Sequence, residues 1–255
     1  MTINLDRYLV FLLVMLRMTG MLLFSPIFGR RNIPVIFNMG FALVLSLVLT
    51  QSMPFPSLPD ANFYEFFYLA LKELAVGMIA GLVVQMFLSL FVVSGDVIDS
   101  QIGVGMAKMF DPATNASVSI TAQYFNIMFT ALFFLTGNHL TLIYLTARTF
   151  DIIPLGEITV SRDIFLEIPV FFGAIMLYAI KLCLPIIVLE VIISFAVGII
   201  MRIVPQINVF VINIQLKLIV GMFALVLLVP AFIGFVENML VLCMENIRHF
   251  WTILA

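Results

Sequence analysis

Residues 66–93 read FFYLALKELAVGMIAGLVVQMFLSLFVV, an apolar run interrupted by only two charged side chains, Lys72 and Glu73. About 20 helical residues cross the hydrocarbon core of a bilayer, so this stretch alone is long enough to span a membrane. It lacks the period-2 alternation of a membrane barrel strand, which makes the expected fold class all-α. Comparable apolar stretches flank it at residues 8–29, 35–53, 118–147, 169–201 and 210–240. The breaks between them are a basic turn at 29–32, a link carrying Pro54, Pro56, Pro59 and Asp60, a small-residue loop at about 94–117, and a charged connection at 148–167. Gly, Pro and polar clusters of this kind punctuate helices. The architecture to expect is a polytopic membrane protein of long helical hairpins.

Composition agrees. The 255 residues are 64% hydrophobic and 10% charged, with a mean hydropathy of +1.23, whereas soluble domains are roughly 45–50% apolar and about 25% charged. Twelve basic and 14 acidic residues nearly cancel, so no nucleic-acid footprint is present. Cys183 and Cys243 sit in apolar runs without a CxxC or a neighbouring histidine; they read as buried thiols, with neither a disulfide nor a metal expected. The apolar run after Arg7 is interrupted by Arg17 and is followed by no small-residue cleavage site, so a removable signal peptide is not expected. Placing Arg30, Arg31, Lys108, Arg202 and Lys217 on one side of the membrane leaves Arg7, Arg148, Arg162 and Arg248 on the other, a balance that sets no orientation. Five charges lie inside apolar runs: Arg17, Lys72, Glu73, Lys181 and Glu190. Each costs about 2.5–3.5 kcal/mol on the insertion scale unless it faces protein or water. They are therefore expected to meet contacts supplied by partner chains.

Glu73, Gly77, Gly81 and Gln85 recur at every fourth position. Two glycines at that spacing make a close-packing face, and the acid beside them adds the reading of an interface or passage residue. The loop 94–117, SGDVIDSQIGVGMAKMFDPATNAS, places Asp96, Asp99 and Asp111 among glycines and a proline, with Met106 and Met109 between them. Its Gly103-Val104-Gly105 is followed by no GK[ST], so it is not a phosphate loop. An intramembrane aspartyl protease would carry Asp where Met106 stands. Asp111-Pro112 is expected to cap the next helix. His139, after Gly137-Asn138, has no metal-ligand spacing and reads as a helix-break histidine holding a backbone group. No HExxH or GxSxG motif occurs in the chain, so catalysis has no visible equipment. Residues 237–255 mix apolar and charged positions with the one tryptophan, Trp251, as an interfacial or partner-covering helix would.

Taken in order over the whole length, these features resemble the FliR family of the flagellar type III export gate. The resemblance is carried by Arg17, Gly20, Ser25-Pro26 and Ile33-Pro34; by Glu73, Gly77, Gly81 and Gln85; and by Gly95, Gln101, Gly103 and Phe110-Asp111-Pro112. It continues through His139, Thr149-Phe150, Pro154 and Gly156, and then Arg202, Pro205, Gln206, Asn208 and Phe210, followed by Lys217 and Gly221. Gly137-Asn138 stands before His139 where family members often read Asn-Gly. Residues 184–228 also look like the two-helix FliQ partner, which divides the chain into an N-terminal helical portion, 1–165, and a C-terminal hairpin, 166–255.

The resemblance implies a non-enzymatic subunit without a cofactor. It would stack with FliP-like and FliQ-like chains, beside FlhB-like and FlhA-like components, into a conical channel entrance for unfolded flagellar proteins. The setting would be the bacterial inner membrane at the flagellar basal body. It further implies that residues 103–115, with Gly103, Gly105, Met106, Met109, Phe110, Asp111 and Pro112, form a plug in the closed channel; glycines allow the bends and the large side chains supply the bulk. An injectisome counterpart of the same family is the near alternative. From a different class, a secondary transporter with a midplane site of Lys72, Glu73, Lys181 and Glu190 is the competing expectation.

Overall fold

The computed structural model describes residues 5–30, 32–52, 63–105, 119–157, 162–203 and 209–254. Among the described residues there is no strand, and eight helices follow one another: α1 Leu5–Phe24, α2 Val35–Ser52, α3 Phe63–Ile102, α4 Ile120–Leu135, α5 Asn138–Ile152, α6 Arg162–Ile203, α7 Val209–Leu227 and α8 Val229–Leu254. Four of them are long and apolar enough to cross a membrane, or five if α4 and α5, bent by 68°, count as one span. The protein is an all-α polytopic membrane protein.

Two helices outrun the bilayer. With 40 residues in α3 and 42 in α6, a rise of 1.5 Å per residue makes each about 60 Å long, roughly twice the ~30 Å hydrocarbon core. The α6 helix continues through Pro169 and Pro185, each of which leaves one carbonyl a turn earlier without its helical donor. The α3 helix also corrects the loop expected at 94–117: residues 94–102 are helical. Ser94 is satisfied inside the packing, its single proton shared between the carbonyls of Leu90 at 2.7 Å and Ala179 at 3.0 Å. The helix stops at Gly103, whose φ of +91° is a left-handed C-terminal conformation that favours glycine.

The described chain forms two compact units, each assembled from separated segments: residues 1–87, 133–170 and 240–255 make the first, and 88–132 with 171–239 the second. In the first unit α1 packs on α3 along glycines. A Cβ added to Gly20 would come within 2.6 Å of the Leu74 carbonyl oxygen, one on Gly77 within 2.9 Å of the Met21 nitrogen, and one on Gly81 within 2.8 Å of the Ser25 nitrogen. The facing backbone of this stripe thus belongs to the same chain, and Gln85 is exposed beyond it. Around the seam Leu13, Val14, Met18, Met21, Leu22, Ala80 and Val84 are fully buried. Trp251 of α8 closes the unit, its indole N–H donating to the Val76 carbonyl at 3.2 Å. A turn after α1 contains Pro26; the carbonyl of Phe28 in that turn accepts from the Asn38 amide of α2 at 2.9 Å. Pro34 stands one residue before α2, where its missing N–H costs nothing.

The second unit is cored by aromatics. Phe91 lies 5.3 Å from Phe129, and Phe125 meets Phe232 edge-on at 5.2 Å, separations at which ring pairs attract. Gly95 sits against the backbone and side chain of Ala122 with no room for a Cβ. Cys183 is a buried free thiol, as is Cys243 of the first unit.

Gly77→Leu is expected to destabilise the chain itself, by about 1–3 kcal/mol or more as overpacking does, because it drives α1 off α3. Gly40→Ala and Gly234→Ala, at positions with nothing within 4 Å of an added Cβ, should be close to neutral. Thermal unfolding in detergent, followed by circular dichroism, checks the contrast; a G77L midpoint equal to that of G40A would disprove the seam.

Candidate functional site

Charged and polar side chains in an apolar chain mark where the fold is most constrained, and the first unit gathers them at one point. Arg17 of α1 and Glu73 of α3 are fully buried and paired, Nε donating to Oε2 at 2.6 Å. The rest of the guanidinium is spent on the end of α5: Nη1 donates to Thr149 Oγ1 at 3.0 Å, and Nη1 and Nη2 both reach the Ile153 carbonyl at 3.2 Å. Its carbon lies 4.1 Å from the centre of the Phe150 ring, a cation–π contact that strengthens out of water. The other carboxylate oxygen of Glu73 accepts from the Gly156 N–H at 2.9 Å. Gly156 has a φ of +83° in a turn closed by Glu157 N–H donating to the Pro154 carbonyl at 3.1 Å, the position a type II turn gives to glycine. A Cβ there would also strike Leu69 at 2.8 Å.

Arg17, Gly20, Glu73, Gly77, Thr149 and Gly156, scattered in sequence, are thus parts of one centre and its adjoining seam, with the exposed Pro154 opening the turn that holds Gly156. This corrects the expectation that Arg17 and Glu73 require contacts from partner chains: each is the other's partner, and the further hydrogen bonds to Thr149, Ile153 and Gly156 are what make such a buried pair tolerable. Lys72 and Lys181 lie over their own Tyr68 and Tyr178 rings, at 4.7 Å and 5.2 Å.

The second unit contains a different polar arrangement. Asp99, buried near the end of α3, accepts from the backbone N–H of Ile120 at 2.8 Å and from both the N–H and hydroxyl of Thr121. Ser119 accepts from Ala122 N–H at 3.0 Å. A carboxylate and a hydroxyl together satisfy the first amides of α4, and the negative charge suits the positive end of the helix dipole. The expected cap, Asp111, lies outside the described residues, as do Met106, Met109, Phe110 and Pro112; Asp99 and Ser119 fill that role. Gly103 and Gly105 follow directly on α3. Beside the cap, with Asp99 and Thr121 in its wall, opens a cleft of about 470 Å³ whose remaining lining, including Ile102, Val104, Leu218 and Met222, is mostly apolar.

Glu190 of α6 is fully buried with neither oxygen hydrogen-bonded among the described residues, and Lys217 of α7 stands 4.0 Å away. Gly221, one turn on from Lys217, makes room for it: a Cβ there would meet Glu190 Oε1 at 2.8 Å. Arg202 is exposed in the last turn of α6, while Pro205, Gln206 and Asn208 lie outside the described residues. His139 does not hold a backbone group through Nδ1, which is buried without a partner among the described residues. Its ring packs 5.2 Å from Phe134, and the break before it is made by Gly137 at a φ of +75°. Among the described residues no group of three or more His, Cys, Asp or Glu could hold a metal ion.

The partnership of Arg17 with Glu73 spans 56 positions and left no local mark in the sequence. The Asp99 cap, 21 positions from Ile120, is equally silent, although Ser119 before an apolar run is an ordinary helix-start signal.

A family model described as "Bacterial export proteins, family 1" matches residues 8–242. The chain is 30% identical over 249 residues to the flagellar biosynthetic protein FliR of Bacillus subtilis strain 168, covering 96% of this chain and 95% of that one. It is 28% identical over 225 residues to FliR of Escherichia coli K12, covering 88% and 86%. The surface presentation of antigens protein SpaR of Shigella flexneri is 24% identical over 192 residues, covering 75% and 72%.

Glu73→Gln leaves the guanidinium of Arg17 buried without its counter-charge, a change of the kind that costs about 3–5 kcal/mol. The folded fraction recovered from membranes is expected to fall sharply. Replacing both members, Arg17→Met with Glu73→Leu, is expected to recover much of that loss, since an apolar pair strands no charge. A double variant no better than E73Q, by fluorescence-detected size exclusion, would contradict the pairing as the source of the effect.

Proposed function

Because the chain belongs to bacterial export proteins family 1, in its FliR branch, we propose that it is a structural, non-enzymatic subunit of the flagellar type III protein export gate. The observation that carries this is similarity to the FliR proteins of Bacillus subtilis and Escherichia coli over 96% and 88% of the chain. In this proposal the subunit sits in the bacterial inner membrane at the flagellar basal body and stacks with FliP-like and FliQ-like chains, next to FlhB-like and FlhA-like components. Unfolded flagellar proteins pass through the entrance they build together. Residues 166–255 act as the FliQ-like hairpin of the stack.

Two physical features support the proposal. Helices of about 60 Å exceed what a bilayer can cover, so α3 and α6 need protein surroundings for part of their length. Apolar side chains such as Ile36, Phe195 and Phe223 are 83%, 72% and 68% exposed, and an outside of this kind requires hydrocarbon or a neighbouring subunit. Against the competing transporter, Glu73 is already committed to Arg17 and Gly156 and Glu190 already has Lys217 beside it. The similarity to SpaR keeps the injectisome counterpart as the second reading.

The same proposal makes residues 103–115 the plug, with Met106, Met109 and Phe110 as its bulk. The stems suit such an element: Asp99 ties the end of α3 to the start of α4, which holds the scaffold on either side of it.

Deleting the gene is expected to abolish motility and flagellar filaments, and a tagged copy should co-purify with FliP-like and FliQ-like chains in mild detergent. Changing Met106, Met109 and Phe110 together to Ala should leave complex yield unchanged while admitting small dyes across the membrane. Phe110→Ala alone should leak less. A triple variant that assembles fully and stays tight would place the constriction on another chain; motile deletion cells would refute the flagellar role.

A further inference from the structure

Tyr144, Arg148, Asp151, Arg248 and Trp251 surround a cleft of about 330 Å³ in the first unit, with Leu145 and Ile152 completing its lining. From these residues we infer a binding site for the headgroup phosphate of an anionic phospholipid. Arg148 is held in place from two sides, its Nε donating to the Tyr144 hydroxyl oxygen at 2.9 Å and its Nη1 to Asp151 at 3.2 Å. Tyr144 thereby accepts through its oxygen and keeps its own proton to donate. Arg248, near the C-terminal end of α8, is exposed and takes part in no hydrogen bond or ion pair among the described residues. Asp151 offsets one guanidinium, and the second remains. The cleft therefore offers a phenolic O–H and several guanidinium N–H donors around a net positive charge. A phosphate diester, whose non-bridging oxygens share one negative charge, matches that set in charge and geometry.

Position and lining select a lipid over other carriers of phosphate. Arg248 and Trp251 lie in the last turns of α8, a helix long and apolar enough to cross a membrane, and Tyr144 to Ile152 form the closing half of α5 in the bent pair. Ends of spanning helices lie at headgroup level, where Tyr and Trp concentrate and Arg extends to the surface. The apolar part of the lining, Leu145, Ile152 and Trp251, suits the glycerol and first methylenes of a lipid, a contact that free phosphate lacks. This site is independent of the export role, since it rests on the cleft alone.

The test is native mass spectrometry of the full chain in mild detergent, titrated in separate arms with phosphatidylglycerol, phosphatidylcholine, inorganic phosphate and a glutamate-rich peptide. One phosphatidylglycerol is expected to be retained in preference to the other three. Arg148→Gln with Arg248→Gln should weaken it by about tenfold or more, at roughly fivefold for each cation near a membrane surface, and R148K/R248K should keep most of the preference. Arg248→Gln alone removes no hydrogen bond or ion pair among the described residues, so its roughly fivefold effect stays readable if the double variant misfolds. Retention unchanged in R248Q, or phosphatidylcholine held as well as phosphatidylglycerol, overturns the inference. So does equal competition by inorganic phosphate, or preferential capture of the acidic peptide.

Discussion

Arg17 and Glu73 could not both be buried in an apolar chain unless each neutralised the other and most of their remaining donors and acceptors found partners, and the first unit is arranged around meeting that requirement. One guanidinium reaches α3 through Glu73 and the end of α5 through Thr149 and Ile153. The second oxygen of Glu73 then fixes the Gly156 turn. The glycines follow from the same demand. Gly20 lies three residues after Arg17, and Gly77 and Gly81 lie four and eight after Glu73, so the ion pair and the close backbone contact run along a single α1–α3 seam. Short side chains let the backbones approach, which is what brings Nε and Oε2 to 2.6 Å.

The second unit, which also buries two charged side chains, Asp99 and Glu190, solves the corresponding problem differently. Aromatic packing of Phe91, Phe125, Phe129 and Phe232 supplies its core, and Asp99 uses its charge locally on the amides that open α4. Glu190 is the exception, a buried carboxylate with a lysine at the limit of an ion pair. Turning polar groups inward in both units leaves an exterior that is apolar along α2, α6 and α7. Such a surface suits a chain that lives among lipids and neighbouring helices, and it agrees with a structural role in an export assembly.

All-helical fold class, membrane residence and the positions of most breaks were legible because they depend on properties that add along the chain: run length, hydropathy and the local punctuation of Gly and Pro. The family was legible for a related reason, since an ordered series of residues from Arg17 to Gly221 is itself a one-dimensional pattern. The fate of individual charges was not. Glu73 read as an acid on a contact stripe, and nothing near it in sequence announces an arginine two helices away. Residues 94–102 read as loop because Ser94, Gly95, Asp96 and Asp99 are turn formers locally. In the fold Gly95 is needed against Ala122, Ser94 bonds to backbone, and Asp99 caps another helix, so tertiary contacts override that preference.

The sequence by itself determined that this chain forms apolar helices, that it belongs in a membrane and which lineage of export proteins it joins. Only the tertiary structure decided that Arg17 and Glu73 satisfy each other, that the glycine stripe is a seam within the chain, and that α3 and α6 run unbroken for about 60 Å. The physical reason is range. Hydropathy and backbone propensity act on neighbours along the chain, whereas the pairing of a buried charge is set by whichever helix the fold carries to within about 3 Å of it.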